Sequence, residues 1–229
     1  MEHHGHGRSV VAGGTLGMVE SFDRLLDDAQ SFCAHIVKNQ PPGSQWGIMG
    51  HSMGGAIALY LGDRVADLAP GFLGVSAVAP SVGGATPGGV TLTALSFVSW
   101  AWPSLAVGPP EHPEMYDTGS GLELNYGGAM RASTASLFVN DIYPRTAQLL
   151  AMSPEEREEL AMNFPLVIWC GDKDGLVPFK LMRDTVIPGA QTHDKELVKL
   201  KGKDHQPLLS EGWEQVAANF VAWFASRRC

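Results

Sequence analysis

The stretch between residues 46 and 65 constrains the fold more than any other part of the chain. It consists of a short apolar run that ends at Gly50, a turn with the sequence Gly-His-Ser-Met-Gly-Gly, and an alanine- and leucine-rich segment. This order predicts a strand, a sharp turn and a helix, and the turn fits the pattern G-x-S-x-G with Ser52 at its centre. A strained turn of this kind projects a serine hydroxyl away from the sheet, and the flanking glycines remove side chains that would collide with neighbouring backbone. Ser52 is therefore a candidate nucleophile.

Strand and helix patterns alternate along most of the chain, which is typical of the α/β class. Near-continuous apolar runs indicate the strands of a mostly parallel sheet that is covered on both faces. Apolar residues at three- and four-residue intervals indicate amphipathic helices, and the serine, proline and acids at residues 153–156 predict a helix start. The predicted strands are 46–49, 72–79, 166–170 and 196–201, and the predicted helices are 19–38, one ending at 65, 178–186 and 211–225.

The alternation stops between residues 81 and 150. Paired glycines and prolines punctuate this stretch and predict an irregular segment. We interpret it as an insertion in a core domain made of residues 1–80 and 151–229. Trp100, Trp102 and Leu105 lie in an apolar and aromatic part of the insertion, which is typical of a segment that contacts lipid and equally of one that packs on its own core.

A serine hydroxyl is a weak nucleophile unless a histidine base and an orienting acid accompany it. The loop after the third predicted strand holds Asp172 and Asp174; we favour Asp174 as the orienting acid and keep Asp172 as the alternative. The loop after the fourth predicted strand holds His205, whereas His193 precedes that strand and is interpreted as solvated surface. Each of Ser52, Asp174 and His205 follows a separate strand, so we expect the three side chains to meet at one edge of the sheet.

Composition excludes several classes of protein. The net charge is −8 and 45% of the residues are hydrophobic, which excludes a disordered chain and argues against nucleic-acid binding, because phosphate recognition requires a basic face. No apolar leader and no membrane-spanning stretch is visible, so we expect a protein that is cytoplasmic or peripheral to membranes. Cys33, Cys170 and Cys229 are widely spaced and odd in number, which indicates neither a disulfide framework nor a zinc site.

Three histidines, His3, His4 and His6, stand close together near residue 1. They have no cysteine or carboxylate partners at ligand spacing, so we predict no metal site. The chemistry expected of an activated serine needs no metal and no organic cofactor.

Several motifs occur together in this chain: Gly-His-Gly-Arg-Ser at 5–9, the turn at 50–55, Gly-x-x-Asp-x-x-Val-Pro at 171–178, and His205. In combination they resemble the α/β-hydrolase fold. Within that fold the chain is most similar to the monoacylglycerol lipase and lysophospholipase branch, over about residues 2–224. The resemblance implies that Ser52 is the nucleophile, Asp174 the acid that orients the base, and His205 the general base.

The resemblance also implies that the backbone N–H of Met53 is an oxyanion donor and that residues 81–150 cap the acyl pocket. Members of the branch carry further strands and a helix before the Gly-His-Gly loop, including a His-Gly loop that supplies a second oxyanion N–H. Neither occurs in this sequence, so we expect a sheet of four strands that is truncated on its N-terminal side. Loss of one oxyanion donor typically costs about 10²–10³ in turnover.

The function that the resemblance implies is hydrolysis of monoacylglycerols or similar single-chain lipid esters, such as lysophospholipids, through an acyl-enzyme on Ser52. Trp100, Trp102 and Leu105 become candidate substrate contacts of the cap, and the cap implies a transient contact with a membrane surface. Two alternatives stay open. One is an esterase for small soluble esters, and the other is a truncated, weakly active or non-catalytic fragment whose open sheet edge pairs with a partner.

Overall fold

The computed structural model describes residues 3, 9, 15, 17–68, 70–83, 89–107, 131–151, 164–190 and 192–228. The chain divides into two compact units. One unit comprises Met1–Ala29 and Thr86–Pro144, and the other comprises Gln30–Ala85 and Arg145–Cys229. The second unit contains the sheet and every residue that the sequence marks as a candidate for catalysis.

A parallel sheet forms the centre of this second unit. Its strands are β1 (Trp46–His51), β2 (Phe72–Val78), β3 (Leu166–Gly171) and β4 (Lys195–Leu200). The strands lie in the order β1-β2-β3-β4, and each neighbouring pair is parallel. Parallel neighbours require crossover connections, and the helices that follow β1 and β3 supply two of them. The predicted α/β class is confirmed, and each predicted strand is found with its ends within two residues of the predicted positions.

Eight α-helices and two π-helical segments are assigned within the described residues. They are α1 (Phe22–Lys38), α2 (Met53–Val65), α3 (Gly89–Ala101), α4 (Ala132–Leu137), π1 (Phe138–Ile142), α5 (Tyr143–Ala151), α6 (Phe179–Leu181), π2 (Met182–Val186), α7 (Ile187–Gly189) and α8 (Trp213–Ala225). The elements from α4 to α5 form one continuous helical run, and so do those from α6 to α7. The single predicted helix over 178–186 is therefore longer than expected and contains a π-helical turn.

The core of the sheet is built from the near-continuous apolar strands. All six residues of β3 are buried, as is every residue of β2 except Phe72, which places these two strands at the centre. Trp169 packs on Phe220 of α8, with ring centroids 4.7 Å apart, and its indole N–H donates to the Ser76 hydroxyl at 2.9 Å. The buried polar pair is thus satisfied within an apolar layer, and it joins β2 to β3 through their side chains.

The insertion departs from the sequence prediction. Residues 81–150 were expected to be irregular, but within the described residues they contain α3 and most of the helical run that begins at Ala132. Gly89, one of the glycines from which irregular structure was predicted, is the first residue of α3. The prediction of irregular structure is therefore wrong over these stretches, while the glycine and proline pairs at 109–110 and 127–128 lie outside the described residues.

Two other sequence predictions concern residues outside the described part. These are the helix start at residues 153–156 and the loop at residues 5–8. Among the described helices, none combines the length and the apolar character that crossing a bilayer requires.

Candidate active site

The candidate site lies at the carboxyl edge of the sheet, where the parallel strands end together. Ser52 follows β1 directly, Asp174 lies in the loop after β3, and His205 lies in the loop after β4. The register aligns His51, the last residue of β1, with Val78, the last residue of β2. Because neighbouring strands end at matching positions, loops that are far apart in the sequence meet at one edge.

The turn at Ser52 has the strained backbone that the motif predicts. Ser52 adopts φ 54° and ψ −116°, a conformation that non-glycine residues rarely take. A Cβ atom at Gly50 would collide with the carbonyl group of Gly54 and would stand 2.8 Å from the Gly55 nitrogen, so only glycine fits there. A Cβ at Gly54 would meet nothing within 4 Å. The expectation that a side chain on either side of the serine would collide with backbone is therefore confirmed at Gly50. It is wrong at Gly54, where a Cβ atom has room.

The three predicted side chains form a hydrogen-bonded chain. The Nε2 atom of His205 lies 2.9 Å from Ser52 Oγ, and its Nδ1 atom lies 2.8 Å from Asp174 Oδ2. The carboxylate can only accept, so Nδ1 carries the proton and Nε2 is the free basic nitrogen that accepts from the serine hydroxyl. This is the arrangement in which a histidine activates a serine and an acid holds the imidazole in the required tautomer.

Asp174 is held by its own loop as well as by the histidine. Its residue surface is only 7% exposed, and its Oδ1 atom accepts from the backbone N–H groups of Leu176 at 2.9 Å and Val177 at 2.8 Å. Burial raises the pKa of Asp174, but the hydrogen bonds from His205 and the two backbone N–H groups, with the charge of His205, outweigh burial and leave the pKa below its ordinary value. The carboxyl group is therefore ionised and fixed in orientation at neutral pH.

Asp172, the alternative acid, has a different set of contacts. Its Oδ1 atom accepts from the backbone N–H of Gly202 at 2.6 Å, and its Oδ2 atom lies 3.8 Å from the Lys199 ammonium group. These contacts tie the loop after β3 to the end of β4. The structure thus places Asp174 beside His205, and it gives Asp172 a contact that joins two loops.

His205 is fixed from its backbone as well as from its ring. The Nε2 atom of His51 lies 2.7 Å from the His205 carbonyl oxygen, which only accepts, so the His51 ring donates. Burial lowers the pKa of His51, and this effect exceeds the opposing hydrogen bond to the His205 carbonyl. His51 is accordingly neutral at pH 7. His193, the competing base, is exposed and belongs to the segment before β4, as predicted.

Ser81 is a site residue that the sequence did not single out. Its Oγ atom lies 3.1 Å from Ser52 Oγ, and its backbone N–H donates to the Ser52 carbonyl at 3.0 Å. A single serine after a strand carries no sequence signal of its own. The contact depends on the pairing of β1 with β2, which a periodicity argument cannot supply.

Met53, the predicted oxyanion donor, is the first residue of α2. The first four N–H groups of an α-helix have no partner within the helix, and the helix dipole places partial positive charge at this end. An oxyanion that forms beside Ser52 would therefore meet a favourable electrostatic environment at the start of α2.

The predicted cap contacts lie on the surface of the first unit. Trp100 is 81% exposed and Trp102 is 61% exposed, and Leu105 is 49% exposed. Phe97 adds a further ring, with its centroid 6.0 Å from that of Trp100 and 6.5 Å from that of Trp102. The stretch from residue 89 to residue 107 contains no aspartate, glutamate, lysine or arginine.

No group of three or more histidine, cysteine or carboxylate side chains within the described residues is arranged to hold a metal ion. His4 and His6 of the N-terminal histidine group lie outside those residues.

The serine aminopeptidase S33 family matches residues 1–211 of the chain. Among solved structures, a monoacylglycerol lipase from Paleococcus ferrophilus is 16% identical with a TM-score of 0.71, and the alignment covers 98% of this chain and 81% of the lipase. A soluble variant of monoglyceride lipase from Saccharomyces cerevisiae, in complex with a substrate analog, is 17% identical with a TM-score of 0.74, covering 100% and 76% of the two chains. A thermophilic esterase from Thermogutta terrifontis is 17% identical with a TM-score of 0.61, covering 99% and 79%. The likeness to these structures shows the α/β-hydrolase fold.

Proposed function

Because the chain belongs to the serine aminopeptidase S33 family of serine hydrolases, we propose that it is an ester hydrolase that cleaves monoacylglycerols or similar single-chain lipid esters, such as lysophospholipids. The observation that carries the proposal is the hydrogen-bonded chain from Asp174 through His205 to Ser52 on a strained turn. No metal or organic cofactor takes part in the proposed reaction.

In the first half of the reaction, Ser52 Oγ attacks the ester carbonyl carbon while Nε2 of His205 takes the hydroxyl proton. The imidazolium that forms is stabilised by the Asp174 carboxylate at Nδ1. The negative charge that develops on the carbonyl oxygen is stabilised by the backbone N–H of Met53 at the start of α2. When the tetrahedral intermediate collapses, His205 returns the proton to the leaving alcohol and an acyl-enzyme remains on Ser52.

The second half repeats these steps with water. His205 removes a proton from a water molecule, which attacks the acyl carbon, and Asp174 again stabilises the imidazolium. The intermediate expels Ser52 Oγ, which takes the proton back from Nε2, and the fatty acid leaves. In each half of the reaction Nε2 of His205 takes one proton and gives one proton away, so the enzyme returns to its starting state.

The preference for a lipid ester is supported by the uncharged, aromatic surface of α3 and the residues that follow it. Exposed apolar patches on a soluble protein commonly mark interaction sites, and tryptophan is favoured where an apolar phase meets water. We propose that Phe97, Trp100, Trp102 and Leu105 make a transient contact with a lipid surface. We retain the interpretation of residues 81–150 as a cap insertion in the hydrolase core.

Two alternatives make different predictions about substrates. An esterase for small soluble esters would prefer acetate and butyrate esters over long acyl chains. A non-catalytic fragment that pairs its sheet edge with a partner would fold without reacting at Ser52.

The test uses a fluorophosphonate probe, which reacts with activated serines. We expect the folded protein to be labelled on Ser52 and the Ser52→Ala variant to remain unlabelled. Hydrolysis is then compared between a long-chain monoacylglycerol, a short soluble ester and an amino-acid anilide. Faster turnover of the long-chain ester supports the proposal. Faster turnover of the short ester or of the anilide shows that the enzyme acts on that class of substrate instead. A folded protein that takes no label refutes the proposal that the chain is an enzyme.

A further inference from the structure

Ser81 contacts Ser52 through both its main chain and its side chain. The Ser81 N–H donates to the Ser52 carbonyl at 3.0 Å, and the two hydroxyl oxygens lie 3.1 Å apart. Ser81 is 8% exposed, so bulk water has little access to this contact. Within the described residues, the Ser52 hydroxyl thus has two hydrogen-bond partners, Ser81 Oγ and His205 Nε2.

The fold brings Ser81 to this position through a second strained turn. Ala79, the residue after β2, has φ 43°, a left-handed conformation that a non-glycine residue rarely adopts. Its N–H donates to the Trp169 carbonyl of β3 at 2.7 Å, and the Val82 N–H donates to the Pro80 carbonyl at 2.8 Å. The turn from Ala79 to Val82 is thus tied to the sheet and turns Ser81 back toward the end of β1.

Counting protons fixes the direction of the hydrogen bond between the two serines. Nδ1 of His205 donates to Asp174, so Nε2 accepts and Ser52 must donate its only hydroxyl proton to it. Ser52 Oγ therefore has only lone pairs left for Ser81, and the Ser81 hydroxyl must donate. The result is one directed chain of donors, from Ser81 to Ser52 to His205 to Asp174.

We propose that Ser81 is a positioning residue, which holds the Ser52 side chain in the rotamer that directs its proton to His205 Nε2. This inference rests on the proposed function of Ser52 as the nucleophile. A serine side chain has three staggered rotamers, and the Ser81 donor favours the one in which Oγ lies between the two partners. Removal of the Ser81 hydroxyl leaves Ser52 free to populate the others, so a smaller fraction of the protein is aligned for attack.

The test compares Ser81→Ala with Ser81→Thr, which keeps a hydroxyl, and with Ser226→Ala as a control at the end of α8. We expect Ser81→Ala to slow fluorophosphonate labelling of Ser52 about 3- to 10-fold, as the loss of one neutral hydrogen bond would. The loss should appear in kcat with KM unchanged, and both Ser81→Thr and the control should label close to the wild-type rate. Equal labelling rates for wild type and Ser81→Ala overturn the inference and leave the proposed function intact.

Crystal structures of the wild type and Ser81→Ala provide a readout that does not depend on activity. We expect one rotamer of Ser52 in the wild type and at least two in Ser81→Ala. A single, unchanged Ser52 rotamer in the variant overturns the positioning role. A wild type that is folded but takes no label refutes the proposed function instead, and in that case the rotamers still decide the role of Ser81.

Discussion

The turn that carries Ser52 predicts opposite effects for two glycine-to-alanine substitutions that are four residues apart. In Gly50→Ala the new Cβ meets the carbonyl group of Gly54 and the nitrogen of Gly55, all of them backbone atoms that cannot rotate away. In Gly54→Ala the new Cβ meets nothing within 4 Å, and the residue is the second of α2.

The magnitudes follow from these contacts. Overpacking typically costs about 1–3 kcal/mol, and we place Gly50→Ala near the top of this range because rigid backbone receives the collision. The smaller entropy of the unfolded alanine chain offsets roughly 0.4–1 kcal/mol of the cost. The net loss of unfolding free energy is then about 1–2.5 kcal/mol. In Gly54→Ala no collision occurs, the unfolded chain still has the smaller entropy, and alanine favours the helix. The free energy of unfolding should therefore rise by up to about 1 kcal/mol.

The assay is thermal and urea unfolding followed by tryptophan fluorescence, since the chain has six tryptophans. For a chain of this size each kcal/mol shifts Tm by roughly 2–4 °C, so we expect Gly50→Ala to melt about 2–10 °C below wild type. Gly54→Ala should melt at or slightly above the wild-type temperature. Gly50→Ala that is as stable as wild type, or Gly54→Ala that is the less stable of the pair, would refute the steric reasoning.

Three further predictions concern β3 and the loop that follows it. Asp174→Asn should lower kcat by roughly 10⁴-fold, because the backbone N–H groups of Leu176 and Val177 hold the amide oxygen and the amide NH2 then faces His205 Nδ1 and selects the wrong tautomer. Asp172→Asn, whose amide oxygen can still accept from Gly202, should stay near wild type in the same ester assay, and equal losses would contradict the assignment. The pKa of Asp174 is lowered on folding, so the carboxylate contributes to stability above about pH 4 and this contribution is lost as the pH falls through the lowered value. The free energy of unfolding, measured by urea unfolding at several pH values, should therefore fall less steeply with decreasing pH in Asp174→Asn than in wild type. Burial, together with the nearby Asp174 charge, raises the pKa of Cys170 to about 12, so we expect iodoacetamide at pH 8 to leave this thiol unmodified until the protein unfolds. Mass spectrometry detects the adduct, and alkylation of Cys170 in the folded protein would show that the thiol is not buried.

The main elements were predictable because they depend on local pattern. The apolar run that forms β3 and the three- and four-residue spacing in α1 are properties of short windows, and both elements are found close to the predicted bounds. The same windows misled the prediction for α3. That helix has no charged residue and begins at Gly89, so its sequence lacks a charged face and a polar residue at its start.

The site was predictable to the extent that strand order fixes which loops meet. The loop after each strand could be identified, and Asp174 could be favoured over Asp172, but the sequence left both carboxylates open because both lie within three residues of the end of β3. The structure separates them by their contacts with Gly202 and His205. Ser81 was missed because its contact arises from a left-handed residue at the end of β2, and alanine gives no sign in the sequence that it will adopt that conformation.

The hydrogen bond between Ser52 and His205 also has a consequence for folding kinetics. It joins residues that are 153 positions apart, whereas Asp174 and His205 are 31 positions apart and the backbone N–H groups that bind Asp174 Oδ1 belong to Leu176 and Val177 of the same loop. Contacts between distant residues close large loops and tend to form slowly. During refolding from urea, the turn at Ser52, which bonds to the end of β2, can form before β4 has joined the sheet. Ser52 cannot react rapidly with a fluorophosphonate until β4 has brought His205 to it. The appearance of labelling after dilution from denaturant should therefore lag behind the recovery of helix signal, and the same serine that we propose for catalysis would serve as a chemical clock for completion of the sheet.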